Sequence, residues 1–142
     1  MQVKEIVKSP EEMLQFGRDF AKNHAKPNLV LALSGDLGAG KTTFLKGFIS
    51  ELTDHDPNAI QSPTFLYLQS YGHVHHFDLY RIHNSSQFES AGFADYFHSG
   101  GICCIEWADR IESLLPKTTV FLDIAYLGPT LRQCTFINPR SK

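Results

Sequence analysis

With 142 residues, 42% of them hydrophobic, and a formal charge of −2, the chain is long enough for one well-buried core and too short for two ordinary domains, so residues 1–142 are read as a single domain. Its slight acidity (pI about 6.4) and lack of any Lys or Arg run exclude a broad electrostatic footprint for nucleic acid, so any RNA would have to be held by a partner. The amino terminus lacks the basic-then-apolar pattern of a secretory leader, and no apolar stretch approaches the ~20 residues of a membrane helix, so a cytoplasmic protein without a membrane partner is expected.

Along the chain, Ser9-Pro10-Glu11-Glu12 forms a capping box with proline at the first helical position, which predicts a helix over residues 10–23. Met13, Leu14, Phe16, Gly17 and Phe20 give that helix its buried stripe. After a connection at 25–28, residues 29–33 are a short continuous apolar run suited to a strand covered on both faces. Residues 41–52 carry Phe44, Leu45, Phe48, Ile49 and Leu52 at helical spacing. The polar stretch 53–57 breaks that period, and Ser62-Pro63 does not continue a helix comfortably. Residues 64–71 and 73–81 read as two strands joined by a tight turn near Gly72. A second capping box at 86–89 opens a short helix towards Ala91 or Phe97. Gly100-Gly101 then punctuates the chain before the apolar strand 102–106. Residues 107–115 can be helical up to Pro116, and strands at 119–124 and 131–137 flank a Gly128-Pro129 turn. Strands alternating with helices, with antiparallel stretches in the middle and at the end, indicate an α/β fold with a mostly parallel mixed sheet flanked by helices.

The chemistry concentrates where the first apolar strand gives way to a helix. There Gly35, Asp36, Leu37, Gly38, Ala39, Gly40, Lys41 and Thr42 fill G-x-x-x-x-G-K-[ST], the spacing of a nucleotide phosphate loop. Glycines let the backbone wrap closely around phosphate oxygens, with consecutive N–H groups and the positive end of the helix facing the anion. Lys41 adds a point charge for the β- and γ-phosphates. The Thr42 hydroxyl is a hard oxygen ligand suited to Mg²⁺, and Thr43 can reach the α-phosphate. Hydrolysis further needs an acid at the end of a neighbouring strand. Glu106, after four apolar residues, is the best candidate. Asp78, beside Tyr80 and Arg81, is second, and Asp123 is most simply a residue at a strand exit. His73, His75 and His76 invite a metal reading, but their alternation splits them between two strand faces and no typical zinc spacing completes them. Adjacent Cys103 and Cys104 read as core packing on opposite faces.

Four segments carry a resemblance: residues 35–44, Ser62-Pro63-Thr64-Phe65, His76-Phe77-Asp78-Leu79-Tyr80-Arg81 and Ile105-Glu106-Trp107 occur in the order and spacing of the TsaE family of bacterial tRNA threonylcarbamoyladenosine biosynthesis ATPases. The likeness covers nearly the whole chain. It implies a P-loop NTPase fold that binds ATP and Mg²⁺, with Thr42 and Glu106 serving the metal, residues 62–65 acting as a switch-like loop and Asp78 in the active site. It also implies partnership with TsaB and TsaD, which would keep tRNA contact indirect. Asp78, Glu106 and Thr64 all stay open as the group that positions the attacking water. Arg132 is read either as a cover for the adenine base, since a guanidinium stacks on a ring face, or as a solvated strand charge; Ser9 is a similar candidate contact. Two other classes compete with a partner-dependent ATPase: a small-molecule phosphotransferase, for whose lid little chain remains, and a nucleotide-gated interaction module. The lack of N-K-x-D and D-x-x-G segments favours ATP over GTP.

Overall fold

The apolar run at 29–33 becomes the middle of the sheet. In the computed structural model, which describes residues 2–36, 38–63 and 66–137, strand β2 (Val30–Gly35) pairs in parallel with both β5 (Ile102–Glu106) and β6 (Val120–Tyr126). With β1 (Gln2–Val7), β3 (Leu68–Tyr71), β4 (Val74–Asp78) and β7 (Arg132–Ile137), they form a seven-stranded sheet of order β1-β7-β6-β2-β5-β4-β3. β4 runs parallel to β5, whereas β3 pairs with β4, and β7 with β6 and β1, in antiparallel fashion. The expected mixed sheet is therefore present, with three parallel and three antiparallel pairings and one strand, β1, that the sequence reading did not anticipate. Its residues QVKEIV are largely exposed, with only Val7 buried, so they carry little of the alternation that marks a strand.

Helices cover both faces. On one side lie α1 (Pro10–His24) and α2 (Lys41–Leu52). Ser9 caps α1, its hydroxyl accepting from the Glu12 N–H at 3.0 Å, and Glu12 returns a carboxylate contact to the Lys8 N–H. Met13, Phe16, Gly17 and Phe20 of the expected stripe are buried together with Ala21, while Leu14 is half-buried. The two helices touch backbone to backbone: a Cβ at Gly17 would run into the Phe44 carbonyl, and one at Gly47 into the Leu14 carbonyl. Phe16, Phe20, Phe44 and Phe48 fill the layer between these helices and the sheet, each stabilising the fold by about 1.5–3 kcal/mol through burial.

The opposite face carries α3 (Ser85–Ser90) and 3₁₀ segments at Phe93–His98 and Ala108–Leu114. Three expectations shift. α3 is capped by Asn84, which accepts from the Gln87 N–H, while the Gln87 side chain accepts from the His83 N–H; this reciprocal pair moves the box two residues upstream of Ser86. The helix expected over 107–115 is a 3₁₀ segment broken at Ile111, whose φ and ψ are −129° and 30°. The strand expected to reach residue 81 ends at Asp78. Cys103 joins the core under α3 and Cys104 the core under α1 and α2, as alternation requires. No helix among the described residues is long and apolar enough to cross a membrane.

Candidate functional site

α1 and α2 differ at their first turns in a way that marks the site. α1 begins with a hydroxyl cap and two acids, Glu11 and Glu12, which satisfy its N–H groups and its dipole. α2 begins at Gly40 with no side-chain cap and no acid in its first turn. Its positive end is left to an external anion. The loop that leads there depends on glycine: Gly35 and Gly40 adopt φ of 147° and 113°, and a Cβ at Gly35 would come within 2.5 Å of the Ile124 carbonyl oxygen. Leu37 lies outside the described residues, while Asp36 and Gly38 stand exposed on the loop and Ala39 is buried beneath it.

Lys41 opens α2 and folds back over the loop. Its ammonium donates to the Gly35 carbonyl at 2.8 Å and lies 3.9 Å from Glu106 Oε1, with the Trp107 ring centroid at 5.3 Å. The parallel register of β4 and β5 sets Asp78 beside Glu106 at the strand ends. Glu106 is only 5% exposed, and its Oε2 accepts from His76 Nε2 at 2.7 Å and from the Ser62 hydroxyl at 3.4 Å. Ser62 Oγ is in turn 3.3 Å from Thr42 Oγ1. Thr42, Ser62 and Glu106 thus form a connected group of hard oxygen donors, the chemistry that Mg²⁺ selects. Thr64 lies outside the described residues.

The two acids are tuned in opposite directions. Burial alone would push the Glu106 carboxyl up, but the His76 hydrogen bond, the positive potential of His76 and Lys41 and the Ser62 hydroxyl outweigh it and hold Glu106 below its ordinary value. Asp78 is raised, chiefly by burial and further by the Glu106 charge, against the opposing Tyr80 backbone hydrogen bond.

These groups line one cavity of 930 Å³, which also takes in Thr43, Tyr80, Trp107 and Asp123. Asp123 accepts from the Ser34 hydroxyl at 2.8 Å across β6 and β2. Beside the loop, a smaller hollow of 120 Å³ brings together Ser9, Met13, Thr43, Pro129 and Arg132. Arg132 is not a solvated strand charge: it donates to the Ala39 carbonyl at 2.8 Å, to Gly128 at 2.8 Å and to Gly38 at 3.3 Å, with one guanidinium face 4.6 Å from the Tyr126 ring centroid. It braces the outer curve of the phosphate loop. Ser9, committed to capping α1, borders the same hollow.

Two features escaped the sequence reading. His76 lies on the same β4 face as Asp78, and its contact with Glu106 follows from strand register; alternation along 74–78 was the available signal. Trp107 takes a left-handed conformation (φ 63°, ψ 40°), a strained state for a bulky residue. It turns the chain sharply after Glu106 and forms a wall shared with a second, apolar cavity of 320 Å³ that reaches Phe121. Among the described residues, no group of three or more His, Cys, Asp or Glu side chains could hold a metal ion, and His75 faces away from His76.

The family model described as "Threonylcarbamoyl adenosine biosynthesis protein TsaE" matches residues 7–133. The chain belongs to the TsaE family. It is 37% identical over 127 residues to the tRNA threonylcarbamoyladenosine biosynthesis protein TsaE of Haemophilus influenzae, covering 82% of this chain and 79% of that protein. It is 42% identical over 116 residues to the protein of the same description from Bacillus subtilis, covering 79% and 71%. Among solved structures, the crystal structure of Bacillus subtilis YdiB superposes with a TM-score of 0.77 at 35% identity, over 97% of this chain and 86% of that one. The chain therefore has a P-loop NTPase fold, and the four segments that carried the resemblance all lie inside the matched residues.

Proposed function

We propose that this TsaE chain is the ATP-binding and ATP-hydrolysing component of the bacterial machinery that makes threonylcarbamoyladenosine in tRNA (t6A37), acting in the cytoplasm with TsaB and TsaD. One observation carries the reading: in a member of this family, the phosphate-loop cation Lys41 lies 3.9 Å from the strand-end acid Glu106 at the wall of a single large cavity. In this reading the backbone of residues 35–42 and the uncapped first turn of α2 hold the triphosphate of ATP, and Lys41 takes its β- and γ-oxygens. Thr42 and Glu106 would hold Mg²⁺, with Ser62 between them, and the ion would supply Lewis-acid neutralisation of the charge that develops on the leaving group. Asp78, kept more basic than an ordinary aspartate by burial, orients the attacking water and accepts its proton. Ser9 and Arg132 border the base, with Arg132 acting through the loop that it braces.

The charge of −2 over these residues gives tRNA no strong electrostatic hold, which favours a component that works within an assembly. Purified TsaB, TsaD and tRNA provide the test. ATP hydrolysis and multi-turnover tRNA modification are expected to rise together when this chain is added, and to fall with Lys41→Ala. Modification that cycles equally well without the chain would reject the reading. Phosphate release without any added acceptor separates it from a phosphotransferase.

A further inference from the structure

His76 is a polar side chain in the core, 1% exposed, and the chemistry above gives it no task. It extends from β4 on the face shared with Asp78, and its Nε2 meets Glu106 Oε2 at 2.7 Å. We propose that His76 is a positioning residue for the metal-side carboxylate: its Nε2–H pins one oxygen of Glu106, fixing the side chain in the orientation that metal–ATP requires. The inference rests on the reading of Glu106 as that carboxylate.

Three observations carry it. Glu106 ends a strand at the cavity wall, where a long side chain has several rotamers; among the described residues its contacts come from Ser62 at 3.4 Å, Lys41 at 3.9 Å and His76 at 2.7 Å, and the His76 contact is the shortest of them. The other donors belong to the phosphate loop and to the segment after α2, whereas His76 is anchored in the sheet itself by the pairing of β4 with β5. A donor on a rigid element sets geometry more firmly than one on a loop. Finally, the other ring nitrogen, Nδ1, is buried with no hydrogen-bond partner among the described residues. With Lys41 beside it, Glu106 is a carboxylate and only accepts, so Nε2 is the donor, and Nδ1 is a buried polar atom left unmatched whether or not it carries a proton. The ring serves its carboxylate contact at the expense of the core.

Three variants separate this role from plain packing. His76→Gln can bring an amide donor to the place of Nε2, His76→Asn carries the same amide too short to reach, and His76→Phe fills the volume with no donor. The measurements are calorimetric affinity for a nonhydrolysable ATP analogue without metal, Mg²⁺ affinity of the analogue-bound protein, and thermal melting. The Phe and Asn variants are expected to lose about 10–100-fold in Mg²⁺ affinity and to keep metal-free nucleotide affinity, while the Phe variant melts lower because the buried Glu106 carboxylate has lost its closest donor. The Gln variant should recover most of the metal affinity, and the Phe effect should vanish in a Glu106→Gln background. Equal Mg²⁺ affinity in Gln and Asn variants, or a Phe loss that persists without Glu106, would overturn the proposal. If Glu106→Gln alone leaves Mg²⁺ affinity intact, the fault lies instead in the assignment of Glu106, and the role of His76 falls with it.

Discussion

The loop that carries Lys41 and the strand ends that carry Asp78 and Glu106 face each other across 3.9 Å, yet they are built by unlike means. The loop half is largely local: residues 35–42 follow one another in the chain and supply the glycine conformation, the uncapped helix start and Lys41, with Arg132 of β7 as a brace from outside. The strand half is assembled from β4 and β5, and exists only because their parallel register sets Asp78 opposite Glu106 and His76 opposite Cys104. A local device survives many changes elsewhere, whereas an assembled one depends on pairing. At the point where they meet, charge follows the same division, since Lys41 and the helix dipole come from the loop half and Asp78 and Glu106 from the strand half.

The sharpest way to break the loop half is Lys41→Ala. Loss of a preorganised cation at developing charge should lower turnover by about 10²–10³-fold, with nucleotide affinity reduced and the fold retained; calorimetry and a melting curve check both. Glu106→Gln addresses the strand half and should spare metal-free nucleotide binding while removing most metal-assisted turnover. It also carries a pH signature. Because folding lowers the Glu106 value, the carboxylate stabilises the native state above the ordinary carboxylate range, and that contribution is lost as pH falls through the depressed native value. The Gln variant should therefore show a flatter loss of stability in acid, read from urea melts at stepped pH.

Gly47→Val strikes the support of the loop half, where α2 meets α1 through backbone. Overpacking against the Leu14 carbonyl should cost about 1–3 kcal/mol, visible as a lower urea midpoint. Asp78→Asn is a smaller and opposite effect. The native state raises the Asp78 value, so its charge opposes folding at neutral pH; the Asn variant should melt slightly higher at pH 7, and the gain should fade as pH falls through the raised native value to below the ordinary one. A variant that melts lower at pH 7 would contradict the burial of that carboxyl. The smallest signal is optical: Mg²⁺–ATP should change the emission of Trp107, which sits 5.3 Å from the Lys41 ammonium.

The same division explains what could be read before the structure. The phosphate loop, α1, α2, β2 and β5 were legible because each is declared by neighbours in sequence: a capping box, a glycine spacing, an apolar run. Glu106 and Asp78 were legible as strand-end acids, but not that one is held low and the other high, which depends on contacts across strands. His76 was passed over because three histidines in a row of four look like a metal question, and the answer turned on a residue thirty positions away. β1 was missed since an edge strand with one buried side chain leaves almost no pattern. At 107–115 the helical spacing was real, yet the left-handed turn at Trp107 and the break at Ile111 tighten the segment into 3₁₀ geometry.

The three cysteines give the fold a built-in clock. Burial pushes the thiols of Cys103 and Cys134 up to about 12 and that of Cys104 well above its ordinary value, so the closed protein offers a thiol reagent almost no reactive thiolate. Labelling must wait for an opening event. Cys103 reports the layer under α3, Cys104 the layer under α1 and α2, and Cys134 the end of the sheet where β7 lies between β1 and β6. Timed labelling read by peptide mass would therefore return three opening rates from a single unmodified chain. Equal rates would mean that the two faces part as one cooperative unit, and unequal rates would rank them.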